Sequence, residues 1–254
     1  MELKHRLVNL LQGVPNGLVF GSIPFLMNDY MSYSQQAVLS LATYPYSLKL
    51  FWSPIVDALF VSRIGRRKTW IIPIQLILGV VFLWLGSNIE HYMVTTGDGW
   101  SATYKLTLIL LATTFLSATQ DIAVDGWALT LLPEEHLSYA STAQTIGLNT
   151  GYFLSFTVFL AFSSPEFCNT YFRSMPSDVG IFTLTNYMHF WAAIYFLVTT
   201  WLLFFKREEP MDKAGEMSIA ESYQVLWRIC KLPQIPQYIA LLLVAKMGFV
   251  VSDA

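Results

Sequence analysis

Charged side chains are scarce in this chain: they make up 13% of its 254 residues, against about 25% in soluble domains. Hydrophobic residues make up 54% and the mean hydropathy is +0.48, so the composition indicates an integral membrane protein rather than a soluble domain. Cysteine is also rare, and the spacing of Cys168 and Cys230 fits neither a zinc site nor a catalytic thiol. The sequence contains no Ser/His/Asp arrangement, Walker loop or metal-binding cluster. We therefore expect no catalytic residue, no metal, no cofactor and no nucleic-acid partner.

Long apolar stretches alternate with polar segments along the chain, and their lengths suit helices that cross a bilayer. The pattern predicts an all-α polytopic membrane protein with a six-helix bundle over residues 1–206. It also predicts a cytosolic linker with an interfacial helix over 207–236 and the start of a seventh membrane helix over 237–254. Because the seventh segment is cut short, we interpret the chain as a fragment of a longer protein or a natural short isoform. The six predicted spans cover residues 7–27, 36–60, 69–88, 105–131, 138–162 and 184–205.

The distribution of positive charge predicts the orientation of the spans. Eleven of the lysines and arginines precede span 1, join spans 2 and 3, or follow span 6, whereas Lys105 and Arg173 lie on the other side. The positive-inside rule then places the amino terminus in the cytosol. The loops at about 89–104 and 163–183 are expected to face the lumen or exterior.

Span 4 carries two carboxylates inside an apolar run. Asp121 and Asp125 are four residues apart, so a helix presents both on one face. An ionisable side chain at membrane depth costs several kcal/mol unless it faces protein or water, which makes the pair a candidate functional site. The alternative is that Asp125 lies near the cytosolic end and only orients the helix.

Span 2 carries a cation at a matching depth. Lys49 and Asp121 each lie about ten residues from the cytosolic ends of their spans, so we expect Lys49 to face the carboxylate pair or an anionic ligand. Lys49 and Asp57 are eight residues apart and share a helix face, so an intrahelical arrangement competes. Pro45 and Pro54 are expected to kink this span.

Further polar residues in the spans are candidates for ligand binding or coupling. Span 1 carries Gln12 and Asn16 in a helix-weakening segment that also contains glycines, so ligand contact and close helix packing are both open. Gln144 in span 5 is better suited to an interhelical hydrogen bond. Gln120 in span 4 and Lys246 in the seventh segment complete the candidates.

The loop between spans 2 and 3 is strongly basic and follows an acidic residue. Asp57 precedes Arg63, Gly65, Arg66 and Arg67, an arrangement that resembles the cytosolic signature of the major facilitator superfamily. In that family the acidic residue and the arginines latch the two bundles together, so this set is a candidate cytosolic gate. Here Asp57 and Arg63 are not adjacent as in the usual pattern, and a plain basic loop held by anionic lipid is the alternative.

Several segments together resemble the acetyl-coenzyme A transporter family of the major facilitator superfamily. The most specific is residues 118–129, Ala-Thr-Gln-Asp-Ile-Ala-Val-Asp-Gly-Trp-Ala-Leu, whose Ala-Thr-Gln-Asp-Ile-x-x-Asp core is shared with bacterial muropeptide permeases. The segments 65–68, 12–15, 139–142 and 151–154 also match.

The resemblance implies the amino-terminal six-helix bundle of a twelve-helix transporter plus part of helix 7. It further implies carriage of cytosolic acetyl-coenzyme A into the lumen of the endoplasmic reticulum, with the amino terminus cytosolic. Its partners would be that small-molecule substrate, the lipid bilayer, and a missing carboxyl-terminal bundle or a full-length copy. The alternatives are a proton-coupled carrier of a peptidoglycan-like or other polar solute, and a truncated membrane partner that does not transport.

Overall fold

A computed structural model describes residues 10–62, 64–96, 99–131, 137–205 and 218–250, and every regular element in them is helical. The expected all-α polytopic fold is confirmed, since five helices are long and apolar enough to cross a membrane. These five are α1 (Leu10–Met27), α3 (Lys68–Thr96), α4 (Trp100–Leu131), α5 (137–163) and α7 (Leu184–Phe205). The other elements are α2 (33–58), α6 (Pro165–Tyr171), α8 (Ile219–Cys230) and α9 (Gln234–Val250).

The second predicted span is not one continuous helix. Within α2, the α-helical segments Tyr33–Leu39, Tyr44–Leu48 and Ser53–Ala58 are separated by the 3₁₀ segments Ser40–Thr43 and Lys49–Phe51. Pro45 and Pro54 each stand in the first turn of the α-helical segment that follows an interruption. Proline has no N–H and cannot continue the hydrogen bonding of an α-helix from the preceding turn, so the α-helical pattern of α2 is interrupted before each of the two prolines.

The loops predicted at about 89–104 and 163–183 are shorter than the sequence predicts. α3 continues to Thr96 and α4 begins at Trp100, so most of the predicted loop 89–104 is helical. With 29 residues, α3 is about 44 Å long at 1.5 Å per residue, longer than the roughly 30 Å hydrocarbon core. The polar residues at the end of α3 predict a loop, but they are helical because a helix can continue beyond the apolar layer. The second predicted loop, 163–183, contains α6.

Helix α3 packs against both α4 and α7 and supplies much of the buried core. Several polar contacts fasten α3 to α7; among them, Thr199 donates to Gln75 Oε1 at 3.0 Å, and Lys68 Nζ donates to the Leu202 carbonyl at 2.9 Å. Leu202 lies in the last turn of α7, where carbonyls lack helical partners and cations are favoured. Lys68 thus stabilises the end of α7.

A proline in α1 creates a buried carbonyl that another helix satisfies. The regular partner of the Leu11 carbonyl would be the N–H of residue 15, but that residue is Pro15. The hydroxyl of Tyr195 on α7, fully buried, donates to the Leu11 carbonyl at 2.7 Å. The hydrogen bond joins α1 to α7 and removes the cost of an unpaired carbonyl.

Helices α1 and α5 approach each other through glycines. A Cβ added at Gly151 would meet the Leu10 carbonyl and lie 2.9 Å from the Cα of Gly13, and one at Gly17 would lie 2.6 Å from the Cβ of Ser155. Backbones come this close only where side chains are absent, as in small-residue packing between membrane helices. The packing interpretation of the α1 glycines is therefore confirmed.

We predict that Gly151→Val lowers the stability of the bundle, because its side chain would force α1 and α5 apart. Overpacking costs about 1–3 kcal/mol, or a drop of about 2–10 °C in unfolding temperature for a chain of this size. The measurement is thermal unfolding in detergent micelles. Gly99→Val is the control, since a Cβ there meets nothing within 4 Å. Equal stability of the two variants would contradict the close approach.

Candidate functional site

Lys49 lies at the second break of α2 and faces both carboxylates of α4. Its Nζ is 2.5 Å from Oδ2 of Asp121 and 3.7 Å from Oδ2 of Asp125. The predicted contact between Lys49 and the carboxylate pair is present, and the intrahelical pairing of Lys49 with Asp57 is absent from the ion pairs of the described residues. The break in α2 directs the lysine towards α4 instead of along its own helix.

The two carboxylates have different surroundings. The side chain of Asp121 is 3% exposed and that of Asp125 is 37% exposed. Gln144 on α5 donates through Nε2 to Oδ1 of Asp125, the interhelical bond expected of this glutamine. Oδ1 of Asp121 has no hydrogen-bond partner within the described part of the chain. Asp121 therefore depends on Lys49 for its stabilisation, whereas Asp125 has a second partner and water.

Side chains that the sequence did not single out hold α2 against α4 on either side of Lys49. The hydroxyls of Tyr46 and Ser117 are 3.1 Å apart, and Trp52 Nε1 donates to Thr119 Oγ1 at 3.1 Å. Ser117 precedes Asp121 by four residues, as Asp121 precedes Asp125, so helical spacing was a usable signal for Ser117. The sequence offers no such spacing for Tyr46 or Trp52.

The other site residues that the sequence predicts differ in whether the structure brings them to this cluster. Asn16 on α1 lies beside the hydroxyl of Tyr46. Gln12 and Gln120 are buried, and their side chains have no hydrogen-bond partner among the residues that the structure describes. The structure therefore does not join these two to the charged cluster. The side chain of Lys246 lies outside the described residues.

The candidate cytosolic gate forms around Asp57. Arg67 Nη1 is 2.6 Å from Oδ1 of Asp57, Arg66 Nη2 is 3.9 Å from the same oxygen, and Arg66 Nε donates to the Asp57 carbonyl at 2.9 Å. Gly65 adopts φ of 105°, a left-handed conformation that glycine reaches without strain. Arg63, the remaining gate candidate, lies outside the described residues.

Gly126, which follows Asp125, lets the gate lie directly against α4. A Cβ at this position would overlap the guanidinium of Arg67. The absence of a side chain therefore allows Arg67, which is nearly buried, to reach Asp57 across the surface of α4.

One open cleft of about 310 Å³ joins the gate to the charged cluster. Lys49 and Asp125 of the charged cluster line it, together with Asp57 and Arg67 of the gate. Two cations and two carboxylates therefore share one concave surface, so movement of one ion pair alters the field at the other. The cleft is further lined by Leu50, Ser53, Ile122 and Gly126.

Residues 6–218 match the family model described as acetyl-coenzyme A transporter 1. The chain belongs to this family. The match contains α1 to α7, the carboxylate pair, Lys49 and the gate, so the geometry described above lies within the part of the chain that the family shares.

Relatives in the same family and beyond it are membrane proteins and transporters. An uncharacterized membrane protein of Saccharomyces cerevisiae is 49% identical over 79% of this chain and 39% of its own length. An uncharacterized protein of Schizosaccharomyces pombe is 43% identical over 97% of this chain and 46% of its own length. The anhydromuropeptide permease of Escherichia coli is 25% identical over 59% of this chain and 29% of its length. The chain thus spans less than half of these relatives, and its family is one of multi-pass membrane transporters.

We predict that Asp121→Asn destabilises the protein more than Asp125→Asn does. The first change removes the main partner of Lys49 at a buried position, which costs about 2–3 kcal/mol. The second removes a half-exposed charge 3.7 Å from the lysine, which costs less than about 1 kcal/mol. Both amides keep the shape of the side chain, so unfolding temperatures of the two variants in one detergent provide the comparison. The reverse order would contradict the unequal roles of the two carboxylates.

Proposed function

We propose that the protein containing this bundle carries acetyl-coenzyme A from the cytosol into the lumen of the endoplasmic reticulum. The family match supports this substrate class, and the observation that carries the proposal is a cation that faces an open cleft from the interrupted helix α2. Interrupted membrane helices are where transporters place their binding sites.

The charges of the cleft suit one part of the substrate. Acetyl-coenzyme A carries several phosphate charges, and the side chain of Lys49 is 34% exposed while bound to Asp121. An ammonium forms charge-assisted hydrogen bonds with phosphate, so Lys49 is the proposed phosphate contact. Asp121 and Asp125 repel phosphate, and we propose that they keep the ammonium of Lys49 in position until the substrate binds.

The gate supplies a means of closing the cleft on the cytosolic side. Arg66 and Arg67 are held by Asp57 at the end of α2, adjacent to the proposed substrate contact. We propose the orientation that the positive-inside rule predicts, with the amino terminus in the cytosol. A second bundle, from the rest of the protein or a full-length copy, would complete the cavity across which Lys49 acts.

The organisation of the chain belongs to the same proposal. We propose residues 1–206 as the first bundle, 207–236 as a cytosolic linker in which α8 is the interfacial helix, and 237–254 as the beginning of helix 7. Lys246 would then face the cavity from the second bundle as a further cation. Gln12, Asn16 and Gln120 are proposed to contact the uncharged parts of the substrate.

A second candidate is proton-coupled transport of a polar, peptidoglycan-like solute. It is favoured by the half-exposed carboxylate of Asp125, which is open to solvent beside a buried ion pair, and by the similarity to the anhydromuropeptide permease. In that case Asp125 would exchange protons with the cleft while Asp121 stays paired with Lys49.

We predict that Lys49→Met raises the KM for acetyl-coenzyme A by about 10–100-fold. A hydrogen bond between charged groups contributes about 1.5–3 kcal/mol, and methionine removes it at similar length. The measurement is uptake of labelled acetyl-coenzyme A into proteoliposomes that hold the native protein. Lys49→Arg keeps the charge and is expected to retain part of the uptake. Lys105→Met, a cation on the opposite side of the membrane, is the matched control.

The outcomes separate the two candidates. Unchanged KM in Lys49→Met would contradict the proposed phosphate contact. Wild-type vesicles that ignore acetyl-coenzyme A but take up a muropeptide when an inward proton gradient is imposed would favour the second candidate. Loss of that gradient dependence in Asp125→Asn would then assign the proton to Asp125.

A further inference from the structure

The second break of α2 leaves a backbone carbonyl without its helical donor. Residue 54 is a proline and has no N–H, and the N–H of Ile55 donates to the Trp52 carbonyl at 3.0 Å. In a continuous helix the N–H of Ile55 would instead donate to the carbonyl of Phe51, four residues earlier. The Phe51 carbonyl, two residues after Lys49, is therefore left without its regular helical donor and is available to another one.

A residue of the linker helix supplies that donor. The hydroxyl of Tyr223 on α8 donates to the Phe51 carbonyl at 2.6 Å, across 172 residues of sequence. α8 begins with a capping box in which Ser218 and Glu221 exchange side-chain and backbone hydrogen bonds, so its first turn is well fixed. It also packs against Ser53–Ala58, the segment that carries the gate carboxylate Asp57. One side chain of the linker thus contacts the backbone between the substrate contact and the gate.

A similar hydrogen bond from a tyrosine hydroxyl to a backbone carbonyl occurs inside the bundle. Tyr195 satisfies the Leu11 carbonyl that Pro15 leaves unpaired, and Tyr223 satisfies the Phe51 carbonyl beside Pro54. The first is fully buried and joins two membrane helices, whereas Tyr223 is partly exposed on a helix outside the five spans. Because the hydrogen bond of Tyr223 lies at an exposed edge, movement of the linker helix can form it or break it.

We propose that Tyr223 is a positioning residue, whose hydroxyl fixes the second break of α2 and thereby holds Lys49 between Asp121 and Asp125. The linker helix is then coupled to the binding site through a single backbone carbonyl. When α8 moves, the 3₁₀ segment Lys49–Phe51 loses its anchor and the ammonium of Lys49 moves away from its carboxylates. The part of the inference that concerns substrate affinity rests on the proposed role of Lys49 in transport, while the anchoring of the break does not.

Tyr223→Phe tests the anchor because it removes only the hydroxyl. In the native protein in nanodiscs, we expect backbone amides of residues 50–56 to exchange hydrogen about 2- to 10-fold faster, the range that the loss of one hydrogen bond gives. We also expect faster acylation of Lys49 by a water-soluble amine reagent, measured by mass spectrometry. Tyr238→Phe on α9, a tyrosine more exposed than Tyr223, is the matched control and is expected to change neither rate.

A kinetic test separates positioning from general loss of structure. Tyr223→Phe should raise the KM for acetyl-coenzyme A about 2- to 10-fold with little change in maximal uptake. The same substitution in a Lys49→Met background should add nothing, because the residue acts through Lys49. An additive effect in that background would overturn the positioning role.

Amide hydrogen exchange and acylation of Lys49 report on the anchor even if the protein does not carry acetyl-coenzyme A. If acetyl-coenzyme A is not carried but both rates rise in Tyr223→Phe alone, the anchor stands and the proposed function fails. If neither rate changes, or Tyr238→Phe changes them equally, the anchor is refuted whatever the substrate.

Discussion

The ion pair between Lys49 and Asp121 is the interaction on which the architecture of the site depends. Asp121 lies on α4, one of the five helices that are long and apolar enough to cross a membrane, and its side chain is 3% exposed, so its charge costs several kcal/mol unless a cation pairs with it. The pairing requires α2 to turn its lysine towards α4, and the proline-induced break makes that turn. The hydroxyl of Tyr46 and the indole of Trp52 then fasten the broken helix to α4 on both sides of the lysine.

The same break explains why the proposed binding and gating groups lie together. A straight helix would carry Lys49 and Asp57 along one face, whereas the broken one sends Lys49 to Asp121 and leaves Asp57 to Arg67. Gly126 permits the second pairing by leaving room for the guanidinium beside Asp125. Both pairs then border one cleft, so the proposed substrate contact and the proposed gate share one surface.

Much of this arrangement could be predicted from local sequence rules. Helical spacing placed Asp121 and Asp125 on one face, the prolines marked the breaks of α2, and the glycines of α1 marked its close contact with α5. The sequence alone could not decide whether Lys49 pairs with Asp57 on its own helix or with the carboxylates of α4, because both pairings fit the spacing of the residues. The tyrosine–carbonyl contacts of Tyr195 and Tyr223 depend on chain folding over more than 170 residues and leave no local pattern.

The coupling energy between Lys49 and Asp121 tests the central claim most directly. A double-mutant cycle of Lys49→Met, Asp121→Asn and the combined variant, followed by unfolding of the native protein in detergent, isolates this pair from the rest of the bundle. We predict a coupling of about 1–3 kcal/mol, with the double variant more stable than the sum of the single changes implies. A coupling near zero would contradict the account, since Lys49 and Asp121 would then be stabilised independently of each other.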